Sequence, residues 1–170
     1  MDVTVRSVRR LSVEIPGEFE DVVRRFEDLV PAVDEDALAA AARTREWSEV
    51  ERWTQSVAAD GFLRYWRNDV RPLMSVAGDQ SAAIAYLMGN HVIVERMFRH
   101  EPRVMNYAPL RVELSQRPGE PVLFTVDAPS DIFGSFDNDA LATVGVELDA
   151  KVGTLLARLG ARDDVTAVLG

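Results

Sequence analysis

Apolar and polar residues alternate in several parts of the chain, a pattern typical of strands with one buried face. The first such segment runs from Val3 to Ile15, with an irregularity expected near Ser7–Val8. Residues 62–70, FLRYWRNDV, are rich in aromatic side chains, and residues 81–88, SAAIAYLM, form a short apolar run. Each of these segments is predicted to be a strand.

A hairpin between residues 107–115 and 121–127 is the clearest prediction. Each segment places its apolar residues on one face, namely Ala108, Leu110, Val112 and Leu114, and Val122, Phe124 and Val126. A two-residue turn at Pro118-Gly119 would pair even positions with odd ones and turn the two apolar sets to opposite sides. We therefore expect a loop of odd length or a bulge. Arg111 and Glu113 should then lie near Thr125 and Asp127.

Other segments carry apolar residues at intervals of three and four, which indicates helices. The spacing predicts a helix from Phe19 to Val30 and a long one that starts at Asp137 or Asn138 and ends at Gly160. Residues 91–100, HVIVERMFRH, predict one or two helical turns before Pro102. Residues 71–78 fit neither pattern clearly.

Residues 32–60 are predicted to be an insertion of two short helices. Asp34 is placed to cap the first, and Ser48 and Glu51 have the spacing of a capping box for the second. The segment carries Trp47 and Trp53. We expect it to pack on the body of the protein, because two exposed indoles would form an unusual apolar patch.

The order of these elements predicts an α+β fold, because the strands cluster and do not alternate with helices. The core is strand, helix, four strands and helix, with helices on one face of an antiparallel sheet. Residues 1–160 are expected to form a single domain that includes the insertion, and residues 161–170 a loose tail.

The composition excludes several functional classes. The 170 residues include 28 acidic and 19 basic ones, giving a net charge of −9. This charge disfavours binding to nucleic acid and to anionic membranes. The chain has no cysteine, which excludes disulfides, thiolate nucleophiles and Cys-ligated metals. No apolar run approaches the roughly 20 residues of a membrane span, and the N-terminus does not resemble a signal peptide. We expect a cytoplasmic protein.

Candidate chemistry centres on His91. On a helix, His91 and Glu95 would stand at i and i+4, so both could reach one metal ion if Asp127 or Asp131 supplied a further ligand. The alternative is structural: His91 caps the helix and His100 lies at the surface near its C-terminal end. The sequence identifies no cofactor.

Two further side chains have a functional and a structural interpretation. Ser130 could be a nucleophile with His91 as base and Asp127 as orienting group, but Asp-x-Pro-Ser is also the composition of a tight turn. Arg111 could clamp a carboxylate or phosphate, or it could form a cross-strand ion pair with Asp127 or Glu113.

A set of short motifs resembles a known bacterial family. The motifs, in order, are Phe62-Leu-Arg-Tyr, Tyr86-Leu-Met-Gly89-Asn90, Glu95-Arg96-Met97-Phe98, Tyr107-Ala-Pro-Leu-Arg111 and Asp127-Ala-Pro-Ser130. Their order and spacing resemble the family called domain of unknown function 302. The resemblance implies a TATA-binding-protein-like α+β fold and a homodimer, and it implies no catalytic residues. This chain departs from the family in having His91 after Gly-Asn, where the family has proline, and in residues 32–60.

Three functional hypotheses follow. The first is a domain that binds a small molecule or a partner in a pocket between sheet and helices, with these candidate binding residues: Asn90, His91, Glu95, Tyr107, Arg111, Asp127 and Ser130. The second is an enzyme that uses His91 and Glu95 for metal-assisted or general acid/base chemistry. The third is a structural dimer whose interface includes residues 32–60.

Overall fold

A computed structural model describes residues 3–162 of the chain. Its regular elements, in chain order, are β1 (Arg10–Ile15), α1 (Phe19–Leu29), α2 (Glu35–Arg43), α3 (Trp47–Val57), β2 (Leu63–Asp69), α4 (Arg71–Val76), β3 (Ala82–Gly89), α5 (His91–Phe98), a 3₁₀ helix (Pro102–Asn106), β4 (Leu110–Gln116), β5 (Val122–Asp127), α6 (Pro129–Gly134) and α7 (Asp139–Leu159). The fold is α+β, as the sequence predicts.

The five strands form one antiparallel sheet in the order β1-β5-β4-β3-β2. In the β4–β5 hairpin, Val112 pairs with Val126 and Leu114 with Phe124. Even positions therefore face even positions, and the five residues between Gln116 and Val122 form a connection of odd length. Both features of the predicted hairpin are confirmed, and its apolar residues lie on one face.

The core lies between that face and the helices. Alternate residues of each hairpin strand are buried, and the buried stripes of α1 and α7 pack against them. Phe26 of α1 is fully buried, with its ring centroid 4.7 Å from that of Tyr86 and 5.9 Å from that of Phe124. The helices thus cover one side of the sheet and leave residues such as Arg111 exposed on the other.

Three predicted helix ends are confirmed by their hydrogen bonds. The Asp34 carboxylate accepts the Ala37 N–H at 2.9 Å, and the Asn138 side chain accepts the N–H groups of Ala140 and Leu141. Gly160 ends α7 in the left-handed region, at φ 91°, which glycine adopts without steric cost. These caps fix where α2 and α7 begin and where α7 ends.

The predicted first strand is wrong over its N-terminal half. Strand β1 begins at Arg10, and Val3 and Val5 are exposed and outside any strand. The reason is the partner strand: Arg10 pairs with Asp127, the last residue of β5, and Pro129 then starts α6. Residues before Arg9 therefore have no strand beside them to continue the ladder.

The predicted capping box of α3 is also wrong. The helix begins at Trp47, so Ser48 lies inside its first turn, and neither Ser48 nor the N-cap residue Glu46 makes a side-chain cap. Arg45, at φ 61°, and the Thr44 hydroxyl, which accepts the Glu46 N–H, close a short link between α2 and α3. Trp47 remains 43% exposed, whereas Trp53 is half-buried, so only one of the two indoles packs as expected.

The Asp127–Ser130 segment joins the end of β5 to the first turn of α6 and is not an isolated tight turn. Pro129 occupies the first turn of α6, where its missing N–H costs nothing. Residues 71–78 contain the short helix α4. Of the predicted tail, residues 163–170 lie outside the described residues. No helix of the described part combines the length and apolar character needed to cross a membrane.

Candidate functional site

An apolar cavity opens between the end of the sheet and the helices α5, α6 and α7. Its volume is about 140 Å³, or about 580 Å³ with the open space at its mouth included. Its walls are almost wholly apolar and come from β2, α5, the segment before β4, and the two C-terminal helices; the main contributors are Phe62, Val94, Met97, Leu110, Phe133 and Leu148. A cavity of this size and composition can hold a small apolar molecule.

Tyr65 brings a polar group into this apolar wall. It is the extra residue of a bulge in β2, since Arg64 pairs with Met88 and Trp66 with Leu87. The Tyr65 hydroxyl is buried and forms no hydrogen bond of normal geometry in the described part of the chain. Burial raises the pKa of Tyr65 to about 12, against a smaller lowering effect from the His91 backbone. The phenol is therefore a neutral donor at pH 7.

Asn90 and His91 both line the cavity, but their roles differ. The Asn90 side chain caps α5 by accepting the Val92 and Ile93 N–H groups, and it donates to the Gly61 carbonyl at 3.0 Å. Asn90 is thus the helix cap, not His91, and its side chain already has partners at both ends. The side-chain amide of Asn90 therefore stabilises the wall of the cavity.

The His91 ring stands edge-on to Tyr65, with the ring centroids 5.1 Å apart. Burial lowers the pKa of His91 below its ordinary value, so the imidazole is neutral at pH 7. A neutral imidazole offers one donor and one acceptor nitrogen. Tyr65 and His91 together form the polar corner of the cavity.

Glu95 does not join His91 in a metal site. Its carboxylate accepts the Arg99 Nε–H at 3.0 Å, in an ion pair along α5. Within residues 3–162, no group of three or more His, Cys, Asp or Glu side chains is placed to hold a metal ion. The third ligand that the metal-assisted hypothesis requires is therefore not found in this part of the chain.

Tyr107, Arg111 and Asp127 lie together in a second, polar groove that shares the wall 108–110 with the apolar cavity. Arg111 is exposed, and its side chain forms no ion pair in the described structure. The cross-strand pair predicted for it is wrong, because Asp127 accepts a hydrogen bond from Arg10 at 3.2 Å instead. The predicted residues thus divide between two neighbouring sites.

Ser130 belongs to neither site. Its hydroxyl accepts a hydrogen bond from Arg9 Nη2 at 3.2 Å, and its backbone N–H donates to Asp149 Oδ1 at 3.0 Å. Arg9 also holds Asp131 through two hydrogen bonds of 2.9 Å, which lowers the pKa of that carboxyl. The described contacts do not link Ser130 to His91, so they do not assemble the nucleophile, base and orienting group considered above.

Sequence reasoning missed Tyr65, most of the apolar wall and the buried Asp149. The alternation of residues 62–70 predicts a strand, but a bulge carries no alternation signal of its own. The apolar wall combines residues from several elements that are distant in the sequence, each of which looks like ordinary core there. Asp149 occupies a position on α7 that is only 3% exposed, where an apolar residue is usual.

Comparison with known proteins supports the fold. No protein-family model matches the chain, and no curated protein matches its sequence significantly. A solved structure, the crystal structure of the uncharacterized conserved protein DUF302 from Bacillus stearothermophilus, is similar with a TM-score of 0.64. The two share 14% sequence identity over 88% of this chain and 97% of the other. The chain therefore has a DUF302-like fold, as the sequence motifs indicate.

Proposed function

We propose that this chain is a binding domain whose ligand is a small, largely apolar molecule held in the cavity between the sheet and α5, α6 and α7. The single observation that supports this proposal is the cavity itself, which is lined by apolar side chains, is partly open to solvent, and has a volume of about 140 Å³, or about 580 Å³ with the space at its mouth. Close-packed interiors contain few voids larger than a water molecule, so an open apolar space of this size favours a binding role.

Tyr65 and His91, the polar corner of the cavity, orient the ligand. The neutral phenol of Tyr65 is a hydrogen-bond donor without a partner in the described structure, and His91 beside it is neutral. A buried donor without an acceptor costs free energy until an acceptor arrives. We therefore propose that the ligand carries an uncharged acceptor, such as a carbonyl or ether oxygen, and places it against Tyr65.

Filling the cavity tests this proposal. Val94 of α5 lines the cavity, and Val94→Phe adds a ring to that wall. We expect the affinity for a neutral apolar dye, N-phenyl-1-naphthylamine, to fall about tenfold or more, since one ring displaces much of the space that the dye needs. The measurement is a fluorescence titration at pH 7.

Val146→Phe is the matched control, because Val146 is 57% exposed on α7 and lies outside the cavity. It should leave the affinity for the dye unchanged. Equal binding by the Val94→Phe variant and the wild-type chain would place the dye elsewhere and would contradict the proposal.

The enzyme hypothesis has less support from the geometry. His91 and Glu95 lie on one helix, but Glu95 is held by Arg99, and His91 faces Tyr65. A general base needs the proton it removes within hydrogen-bonding reach. A neutral His91 in an apolar cavity serves more directly as part of a binding surface.

We further propose that the chain forms a homodimer in the cytoplasm. The resemblance of the motifs supports the dimer, and the exposed Trp47 and Val57 of α3 offer an apolar contact. The acidic, cysteine-free composition supports the location. Recovery of the chain in a membrane or secreted fraction of its host would contradict that location.

Replacing both exposed side chains, in a Trp47→Ser and Val57→Ser double variant, is expected to convert a dimer to a monomer in sedimentation velocity. This test is preferable to deleting residues 32–60, because Val50 and Thr54 of α3 are buried. Val146→Ser, which removes an exposed valine elsewhere, is the control. A double variant that sediments as the wild-type dimer does would exclude α3 from the interface.

A further inference from the structure

Arg6 is held in one orientation by aromatic stacking. Its guanidinium carbon lies 4.1 Å from the centroid of the Tyr107 ring, within the range of a cation–π interaction. The Tyr107 ring is itself packed edge-on against Phe136, with centroids 5.9 Å apart. This stack fixes the position of a cationic group in a segment that has no regular secondary structure.

Arg6 has no carboxylate partner in the described structure, although the chain has a large excess of acidic residues. Its Nη1 is buried and finds no hydrogen-bond acceptor there. Arg9, three residues later, shows the usual arrangement, since it is bound bidentately by Asp131. Burying a charged nitrogen without a hydrogen-bond acceptor costs free energy, and this suggests that Arg6 Nη1 has an acceptor when a ligand is bound.

The surroundings of Arg6 suit an anion. Arg6 and Arg111 line the same groove, which contains about 1020 Å³ of space open to solvent, and Arg111 is also without an ion pair in the part of the chain described. The acidic residue of this groove, Asp127, is partly neutralised by Arg10 at 3.2 Å. An adjoining groove beyond Arg6 contains Arg103, which is bonded to Glu101, and Asp137.

We propose that Arg6 and Arg111 bind the oxyanion of a small molecule, a carboxylate or a phosphate group, with Tyr107 as the platform that presents Arg6. A guanidinium is suited to this role because it donates two parallel hydrogen bonds to such a group. The net charge of −9 repels anions in general, so binding must come from local geometry. The inference does not rest on the apolar cavity.

The experiment is an NMR titration of the ¹⁵N-labelled full chain with sodium phosphate and, separately, with sodium acetate, at constant ionic strength and pH 7. We expect saturable shifts of the Arg6 and Arg111 side-chain N–H signals and of the backbone amides of residues 106–111. Saturation by phosphate assigns a phosphate site, and saturation by acetate assigns a carboxylate site. Shifts that stay linear with both salts would overturn the proposal.

Substitutions localise the site. Arg6→Gln should weaken binding about tenfold or more, because it removes a charged bidentate donor. Arg117→Gln is the matched control, since Arg117 is an exposed arginine of the β4–β5 connection. It should leave the affinity unchanged. Equal loss in both variants would reveal a general charge effect and would reject the site.

Tyr107 supplies an independent pair of variants if Arg6→Gln does not fold. Tyr107→Phe keeps the ring and serves as the reference variant. Tyr107→Leu removes the platform and should bind the anion severalfold more weakly than Tyr107→Phe does. Unchanged binding by the Tyr107→Leu variant would refute the role of the stack. The neutral dye reports on the apolar cavity separately, so failure of one site does not imply failure of the other.

Discussion

Replacing Gly145 by alanine is expected to lower the free energy of unfolding by about 1–2 kcal/mol. An added Cβ at Gly145 would lie 2.9 Å from the Ser130 Cα and 3.1 Å from the Pro129 carbonyl oxygen. Both atoms belong to the backbone of α6, which cannot rotate away as a side chain can. Helix α6 must therefore move off α7, at a cost that exceeds the roughly 1 kcal/mol that alanine contributes as a better helix former.

Thermal unfolding followed by circular dichroism measures this effect, and a fall in Tm of roughly 2–8 °C is expected. Gly134→Ala is the control, because Gly134 lies in α6 with no neighbouring atom within 4 Å of an added Cβ. Its Tm should stay close to that of the wild-type chain. A Gly145→Ala variant as stable as the Gly134→Ala variant would show that the two helices are not in such close contact.

The Gly145 variant also has a functional consequence. Phe133 of α6 and Leu148 of α7 both line the apolar cavity. A shift of α6 away from α7 changes the distance between these two walls. The affinity for the neutral dye should therefore fall in the Gly145→Ala variant even where the chain remains folded.

Replacing Asp149 by alanine is expected to cost about 1–3 kcal/mol. Helix α6 has no side-chain cap of its own, and Asp149 of α7 supplies the acceptor by bonding the Ser130 N–H at 3.0 Å. Alanine would leave that half-buried N–H without its partner. The midpoint of urea unfolding should fall, with little change in slope. Unaltered stability of this variant would mean that the hydrogen bond contributes nothing to folding.

The Asp149→Asn variant distinguishes the effect of the hydrogen bond to Ser130 on stability from the effect of the negative charge. Burial raises the pKa of Asp149 above its ordinary value, against smaller lowering effects from Ser130 and Arg9. Because the pKa of Asp149 is higher in the folded chain than in the unfolded chain, protonated Asp149 favours the folded state. This contribution to the free energy of unfolding is complete below the unfolded pKa of about 3.8, and it is lost as the pH rises through the folded pKa. Asparagine keeps an acceptor for Ser130 and carries no charge.

The Tm of the Asp149→Asn variant, relative to that of the wild-type chain, should therefore rise as the pH increases from 4 to 7. The Oδ2 atom of Asp149 has no partner in the described structure, so the amide nitrogen that replaces it loses no existing bond. A difference in Tm that is constant across this range would show that Asp149 titrates as it does in the unfolded chain.

The hairpin was predictable because one physical constraint decides it. Both strands had to place their apolar residues on the same side, and only an odd-length connection or a bulge allows this. The observed pairing of Leu114 with Phe124 follows from that constraint. The caps Asp34 and Asn138 were predictable for the same reason, since a carboxylate or amide before a helical pattern satisfies free N–H groups locally.

The errors arose where the outcome depends on distant residues. The alternation of Val3 and Val5 suits a strand, but the ladder stops where β5 gives way to Pro129, more than 100 residues later. Ser48 and Glu51 have the spacing of a capping box, but the short link through Arg45 starts α3 before them. Local patterns contain neither piece of information.

The candidate site was predictable only in part, for a related reason. Asn90 and His91 lie where an apolar run gives way to a helix, which placed them at the end of the sheet. Tyr65 reaches the cavity only because a bulge in β2 displaces it from the regular pairing. Arg6 reaches its groove only because Tyr107, 101 residues later, provides a ring to stack on. Both positions are products of tertiary structure.

The strand order has a consequence for association between copies. In the described part of the chain, β1 and β2 form the two edges of the sheet, and open edges are where proteins pair into aggregates. On β1, Arg10 and Glu14 are exposed, and on β2 a bulge interrupts the ladder beside Arg64. These features discourage edge-to-edge growth of a continuous sheet, so concentrated chains are protected from that route to precipitation.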